Sequence, residues 1–123
     1  MKLHLERPVG LNAITAIDDQ SMTVNGIARS QALIVPHAGS ILELGTLTFD
    51  AIEPSHFEQL LGLSPEVILF GTGAKQRFAH PRLYACLSQA RIGVETMTTS
   101  AACRTFNILV AEGRRCTAFL LFN

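Results

Sequence analysis

The stretch Pro65-Glu66-Val67-Ile68-Leu69-Phe70-Gly71-Thr72-Gly73-Ala74-Lys75-Gln76-Arg77-Phe78 decides the fold, because an apolar run breaks there into a glycine-flanked basic loop. A short apolar run bounded by proline and glycine reads as a strand buried on both faces, the inner strand of a parallel sheet. The loop leaves its carboxyl end. From His80-Pro81 the pattern turns helical, with Leu83, Leu87 and Ala90 at i, i+4 and i+7, and a second strand begins near Ile92. Strand, glycine loop and helix, with that second strand beginning, are half of a βαβ layout, which points to an α/β fold. Sheets of this kind bind ligands beyond the carboxyl ends of their strands.

Downstream, Ile92 to Thr98 alternates like a strand, and Thr99-Ser100 supplies a helix N-cap. The helix predicted from about Ala101 to Glu112 buries Ala102, Phe106, Leu109 and Val110, and Gly113 stops it. Cys116 to Phe122 then reads as a fully buried strand. Upstream, Asn12 to Pro36 reads as an antiparallel meander. Ile14 and Ile17 precede a turn at Asp18-Asp19-Gln20, Met22 and Val24 follow, Asn25-Gly26 turns the chain, and Ala32 to Val35 form the return strand. Ile41 to Leu44 makes a further strand. Between Asp50 and Pro65 a short helix opens on Pro54, packs Phe57, Leu60 and Leu61, and ends at Gly62. His37, in a Pro-His-Ala-Gly loop, reads as solvated.

With 123 residues, 48% hydrophobic and 16% charged, the chain fits one globular domain, 1–123, with a β meander over about 12–44 and an α/β part over about 50–123. No apolar run approaches the roughly 20 residues a membrane span needs. Met1 to Pro8 lacks an apolar signal core and carries Glu6, so neither a secretory signal nor a transit peptide is expected, and the reading is a cytoplasmic bacterial protein or a mature form already trimmed. Cys86, Cys103 and Cys116 are odd in number and lack C-x-x-C spacing. They are expected to be reduced thiols, with no metal site and no cofactor, and Cys86 to be a packing residue. Formal charge is zero overall, yet residues 1–74 carry three Lys or Arg against eight Asp or Glu, and residues 75–123 carry seven against two. That division suits an anionic ligand, an acidic partner, or the acidic part of the same fold. Basic residues without interleaved aromatics argue against nucleic acid.

If the strands at Val67–Phe70 and Ile92–Thr98 are parallel, the loops after them share one sheet edge. Gly71, Thr72, Gly73, Lys75, Arg77 and Arg104 then converge as candidate ligand-binding residues for a small anion, received by backbone N–H groups and cations. Neither a Walker A spacing nor a complete G-x-G-x-x-G is present. Cys103 is the candidate nucleophile, since a helix N-terminus and Arg104 would both lower a thiol pKa, but no local histidine serves as its base. Arg104 opposes the helix dipole and so needs a partner, either a ligand anion or Glu95, whose own strand reads as buried.

Three segments carry a resemblance: Pro65 to Gly73; Gly93-Val94-Glu95-Thr96-Met97-Thr98-Thr99; and Ala101-Ala102-Cys103-Arg104-Thr105-Phe106-Asn107-Ile108-Leu109 with Glu112-Gly113-Arg114-Arg115. The chain resembles small bacterial and archaeal proteins grouped with assembly factor 3 of mitochondrial respiratory complex I, most specifically over about 65–121. The resemblance implies a three-layer α/β fold with a mixed central sheet, an additional N-terminal β layer and helices packed on the sheet. It also implies work through protein partners, and provides no catalytic residues. The resulting reading leans away from an enzyme, towards a protein-interaction or assembly module. Its alternative is a small-anion-binding protein or modest enzyme using the glycine-loop cleft. Apolar strands near the C-terminus would also allow a homodimer through a sheet edge.

Overall fold

The computed structural model describes residues 10–18 and 20–122. The Met1–Pro8 segment and Asp19 of the expected turn lie outside the described residues.

Among the described residues, eight strands form two sheets. A small antiparallel sheet contains β1 (Ile14–Thr15), β2 (Met22–Val24) and β3 (Ile27–Arg29) in that order. The central sheet runs β5-β4-β8-β6-β7, built from β4 (Ala32–Pro36), β5 (Leu42–Gly45), β6 (Val67–Thr72), β7 (Gly93–Met97) and β8 (Cys116–Leu121). Strand β6 is parallel to β7 and β8, while β4 is antiparallel to β8 and β5, so the sheet is mixed. The described residues also form three α-helices: α1 (Pro54–Glu58), α2 (Ala85–Gln89) and α3 (Thr99–Ala111).

Alternation along the central strands sorts the core into two faces. Val67 and Leu69 of β6 join Leu33, Val35, Cys116, Ala118 and Leu120 on one face, covered by Ala102, Cys103, Phe106 and Val110 of α3 and by Ile14, Met22 and Val24 of the small sheet. Ile68 and Phe70 join Ile34, Phe119 and Leu121 on the other, covered by Phe57, Leu60 and Leu87. On that second face Phe57, Phe70 and Phe119 form an aromatic triangle with centroids 5.2–5.3 Å apart, edge-to-face or tilted as ring quadrupoles favour. The architecture is therefore the expected three-layer α/β fold, with the β layer and α3 sharing one side.

Several local readings need correction. Asn25-Gly26 does turn a hairpin, but its return strand is Ile27–Arg29; Ala32–Pro36 crosses into the central sheet, where it pairs with β8. Full burial of all five β4 residues, against none in β3, is the physical reason. The left-handed residue ending the first helical segment is Ser64 (φ +50°), not Gly62. The second helix is a 3-10 turn at Pro81–Tyr84 followed by the short α2, which leaves Ala90 exposed. Strand β8 has neighbours on both sides and so offers no edge for dimerisation; the edges of the central sheet are β5 and β7.

Candidate functional site

The loop after β6 and the start of α3 do meet at one sheet edge, as the parallel β6–β7 pair requires. What fills the crevice between them is Thr99. Its hydroxyl donates to the Leu121 carbonyl (2.5 Å) and accepts the Gly73 N–H (2.8 Å), while its own N–H donates to the Gly73 carbonyl (2.9 Å). One side chain thus ties together the ends of β6 and β8 and the start of α3. Gly71 is glycine because a Cβ there would lie 2.9 Å from both Cα and Oγ1 of Thr99 and 3.0 Å from Leu120 Cδ2. Gly73 has φ +93°, which glycine adopts without the usual Cβ clash. The glycines let the protein's own backbone and side chains approach closely.

The rest of the loop is held in the same internal manner. Thr72, fully buried, donates its hydroxyl to the Lys75 carbonyl (2.6 Å) and accepts the Arg77 N–H (3.1 Å). Gln76 donates to the Thr96 carbonyl of β7 (3.0 Å). Arg77 donates to the Thr72 carbonyl (3.4 Å) and lies over the Phe49 ring, 4.9 Å from its centroid, a cation–π contact that ties the loop to the aromatic face. Lys75 and Arg104 are exposed. The N-terminus of α3 is capped by Thr98, whose hydroxyl accepts the Ala101 N–H (3.3 Å), so two of the backbone N–H groups at this helix start, those of Thr99 and Ala101, have acceptors inside the fold.

The expected activation of Cys103 is overturned. Because α3 begins at Thr99, Cys103 is its fifth residue, beyond the first turn where the dipole acts, and it faces the core with Sγ 3.6 Å from Met22 Sδ. Burial pushes its thiol pKa up to about 12, against the pull of Arg104. Burial likewise moves Cys116 to about 11. The expected burial of Glu95 is also overturned: β7 is an edge strand, Glu95 and Arg104 are both exposed, and among the described residues no ion pair joins them.

Two sets of organising residues escape the sequence reading. Asn107, mid-helix in α3, donates to the Ile14 carbonyl (2.6 Å) and accepts the Ile14 N–H (3.1 Å), so its amide pairs like a neighbouring strand and docks the small sheet. A polar amide of modest helix propensity beside Phe106 was the available signal. Glu66 accepts the Arg115 N–H (3.0 Å) and pairs with the Arg114 and Arg115 side chains, joining the acidic and basic parts of the chain. Away from the loop lie two shallow clefts. One, of about 200 Å³, is lined by Arg29, Ser30, Gln31 and Glu43; the other, of about 240 Å³, includes Thr46, Thr48 and Phe122. No glycine-loop residue lines either. Among the described residues no group of three or more His, Cys, Asp or Glu is placed to hold a metal, and no helix is long and apolar enough to cross a membrane.

A family model described as "Protein of unknown function (DUF498/DUF598)" matches residues 14–121. The chain belongs to this family. Its relatives include a "13 kDa major membrane protein" of Francisella tularensis, 34% identical over 71 residues, a match covering 58% of each chain. They also include assembly factor 3 of the NADH dehydrogenase (ubiquinone) 1 alpha subcomplex from Mus musculus, 41% identical over 56 residues, or 46% of this chain and 30% of that one. The chain thus spans between about a third and three-fifths of the curated relatives it matches. A crystal structure of a Bordetella parapertussis protein superimposes with a TM-score of 0.87 at 37% identity, covering 95% of this chain and all of the other. The family is thus the uncharacterised one that includes complex I assembly factor 3.

Proposed function

We propose that this member of the family is a non-enzymatic module that engages protein partners during assembly of a larger complex, in the cytoplasm of a bacterial cell. Kinship with assembly factor 3 carries the reading. The filled crevice supports it. Where a sheet of this topology would hold a small ligand, the Thr99 hydroxyl occupies the Gly73 N–H and the Leu121 carbonyl. A buried thiol with its pKa near 12 gives no support to nucleophilic catalysis at neutral pH.

The test is in-cell chemical cross-linking of the tagged full chain, followed by quantitative mass spectrometry and reconstitution of the recovered complex on a sizing column. Replicates should return the same partner at fixed stoichiometry. Failure to recover any reproducible partner, with weak complexes trapped by the cross-linker, would sink the reading. The anion-site alternative makes the opposite demand, a rise in melting temperature with added phosphate.

A further inference from the structure

Phe78 is 76% exposed, more than any other large apolar side chain among the described residues. It is not exposed because its loop is loose. Arg77 before it is fixed by its N–H to Thr72 and its guanidinium over Phe49, and Ala79 after it is buried in the second core face. With both neighbours turned inward, the ring between them is held out into solvent. Lys75 and Arg82, both exposed, flank it, and neither has a carboxylate of the described residues within ion-pairing distance. From Val67 to Val94 the chain carries four Lys or Arg and no Asp or Glu. The acids on neighbouring elements, Asp50 beside Phe49, Glu53 and Glu58 at the two ends of α1, and Glu95 of β7, to which Gln76 ties the loop, are all exposed and make no ion pair with those two cations.

We propose that the Lys75–Arg82 loop is a peripheral binding site for an anionic lipid surface, with Phe78 entering the interfacial zone and Lys75 and Arg82 meeting the headgroups. An apolar ring projecting from a loop pinned on both sides, flanked by cations with no ion pair among the described residues, suits a deformable bilayer interface, where Phe buries at the headgroup/acyl boundary and each basic side chain adds attraction. A protein face would require a broader apolar centre around the anchor or a facing pocket. The two clefts described lie elsewhere.

The chain contains no tryptophan, so Phe78→Trp installs a single reporter at the proposed contact. Flotation of the full chain with vesicles of equimolar dioleoyl phosphatidylglycerol and phosphatidylcholine, at low ionic strength, should show binding that added salt weakens. Pure phosphatidylcholine vesicles should bind little. Phe78→Ala should lower the partition about tenfold, the order expected for losing one ring from the interface. The Lys75→Ala/Arg82→Ala pair should lower it by at least about tenfold. Indole emission from the Phe78→Trp variant should shift to the blue on the anionic vesicles. These positions are exposed, so unchanged melting temperatures will confirm folded variants. The proposal is overturned by an absence of partition, by equal binding to neutral vesicles, by alanine variants that bind like wild type, or by an indole emission that does not move. Retention on immobilised polyglutamate without vesicle binding would likewise overturn it, in favour of an acidic protein face.

Discussion

Thr99 is the residue on which the C-terminal edge of the sheet depends. Replacing it with valine keeps the volume but strands the Gly73 N–H and the Leu121 carbonyl, which should cost about 1–3 kcal/mol in urea unfolding, whereas Thr99→Ser should retain most of the stability. Gly71→Ala forces a Cβ against the Thr99 backbone and should cost a similar, about 1–3 kcal/mol. A substitution at either position that leaves the urea midpoint unmoved would contradict the staple. The thiols make a second prediction. At pH 8 in the native protein Cys103 and Cys116, both fully buried and with pKa values of about 12 and 11, should resist a thiol reagent that the half-buried Cys86 meets. All three should react once denaturant is added, and native reactivity at Cys103 would reinstate it as a chemical group. At this scale the sequence marks a tight place in the chain without saying what occupies it. Gly71 and Gly73 signal a close approach; nothing in a linear pattern says that the approaching group is a threonine 26 residues further on.

Among the elements, the small sheet is held to α3 by apolar contacts and by one amide. Asn107→Leu should unpair both backbone groups of Ile14 and cost about 2 kcal/mol. Amide hydrogen exchange gives the sharper check. The β1–β2 amides should exchange faster while those of β6 and β8 stay protected, and uniform acceleration across both sheets would show that the two layers open together. Strands β6 and β8 were legible because burial on both faces leaves a predominantly apolar run. Strand β4 was legible as a strand but not in its pairing, since Ala32–Pro36 follows a hairpin and looks like its continuation. Only the long-range partner β8 distinguishes the two, and pairing across so many residues leaves no local mark. For β7 the error ran the other way: its position at an edge is what lets Glu95 stay in water.

For the molecule as a whole, the charge imbalance along the chain is partly neutralised within the fold, where Glu66 meets Arg114 and Arg115. The Arg115 N–H, then the two guanidinium groups, hold the Glu66 carboxyl below the usual carboxylate range; the N–H groups of Gln20 and Ser21 do the same for Asp18. Depressed carboxylate pKa values stabilise the fold above the unfolded-state value near pH 4 and lose that contribution as pH falls through the folded values. The urea midpoint should therefore drop between pH 5 and pH 2. Glu66→Gln should flatten part of that limb while leaving the neutral-pH cores intact, and an unchanged acid limb would remove Glu66 from the account. The strand order has a consequence for how the protein is made. Strand β8 lies between β4 and β6 and follows both in sequence, so both leave the ribosome before it. Until it emerges, a nascent chain holds two apolar strands with open edges facing an empty slot, so the order of synthesis exposes the sticky middle of the sheet for longest. Shielding by a chaperone in that interval, rather than faster local folding, is what such a topology demands of the cell.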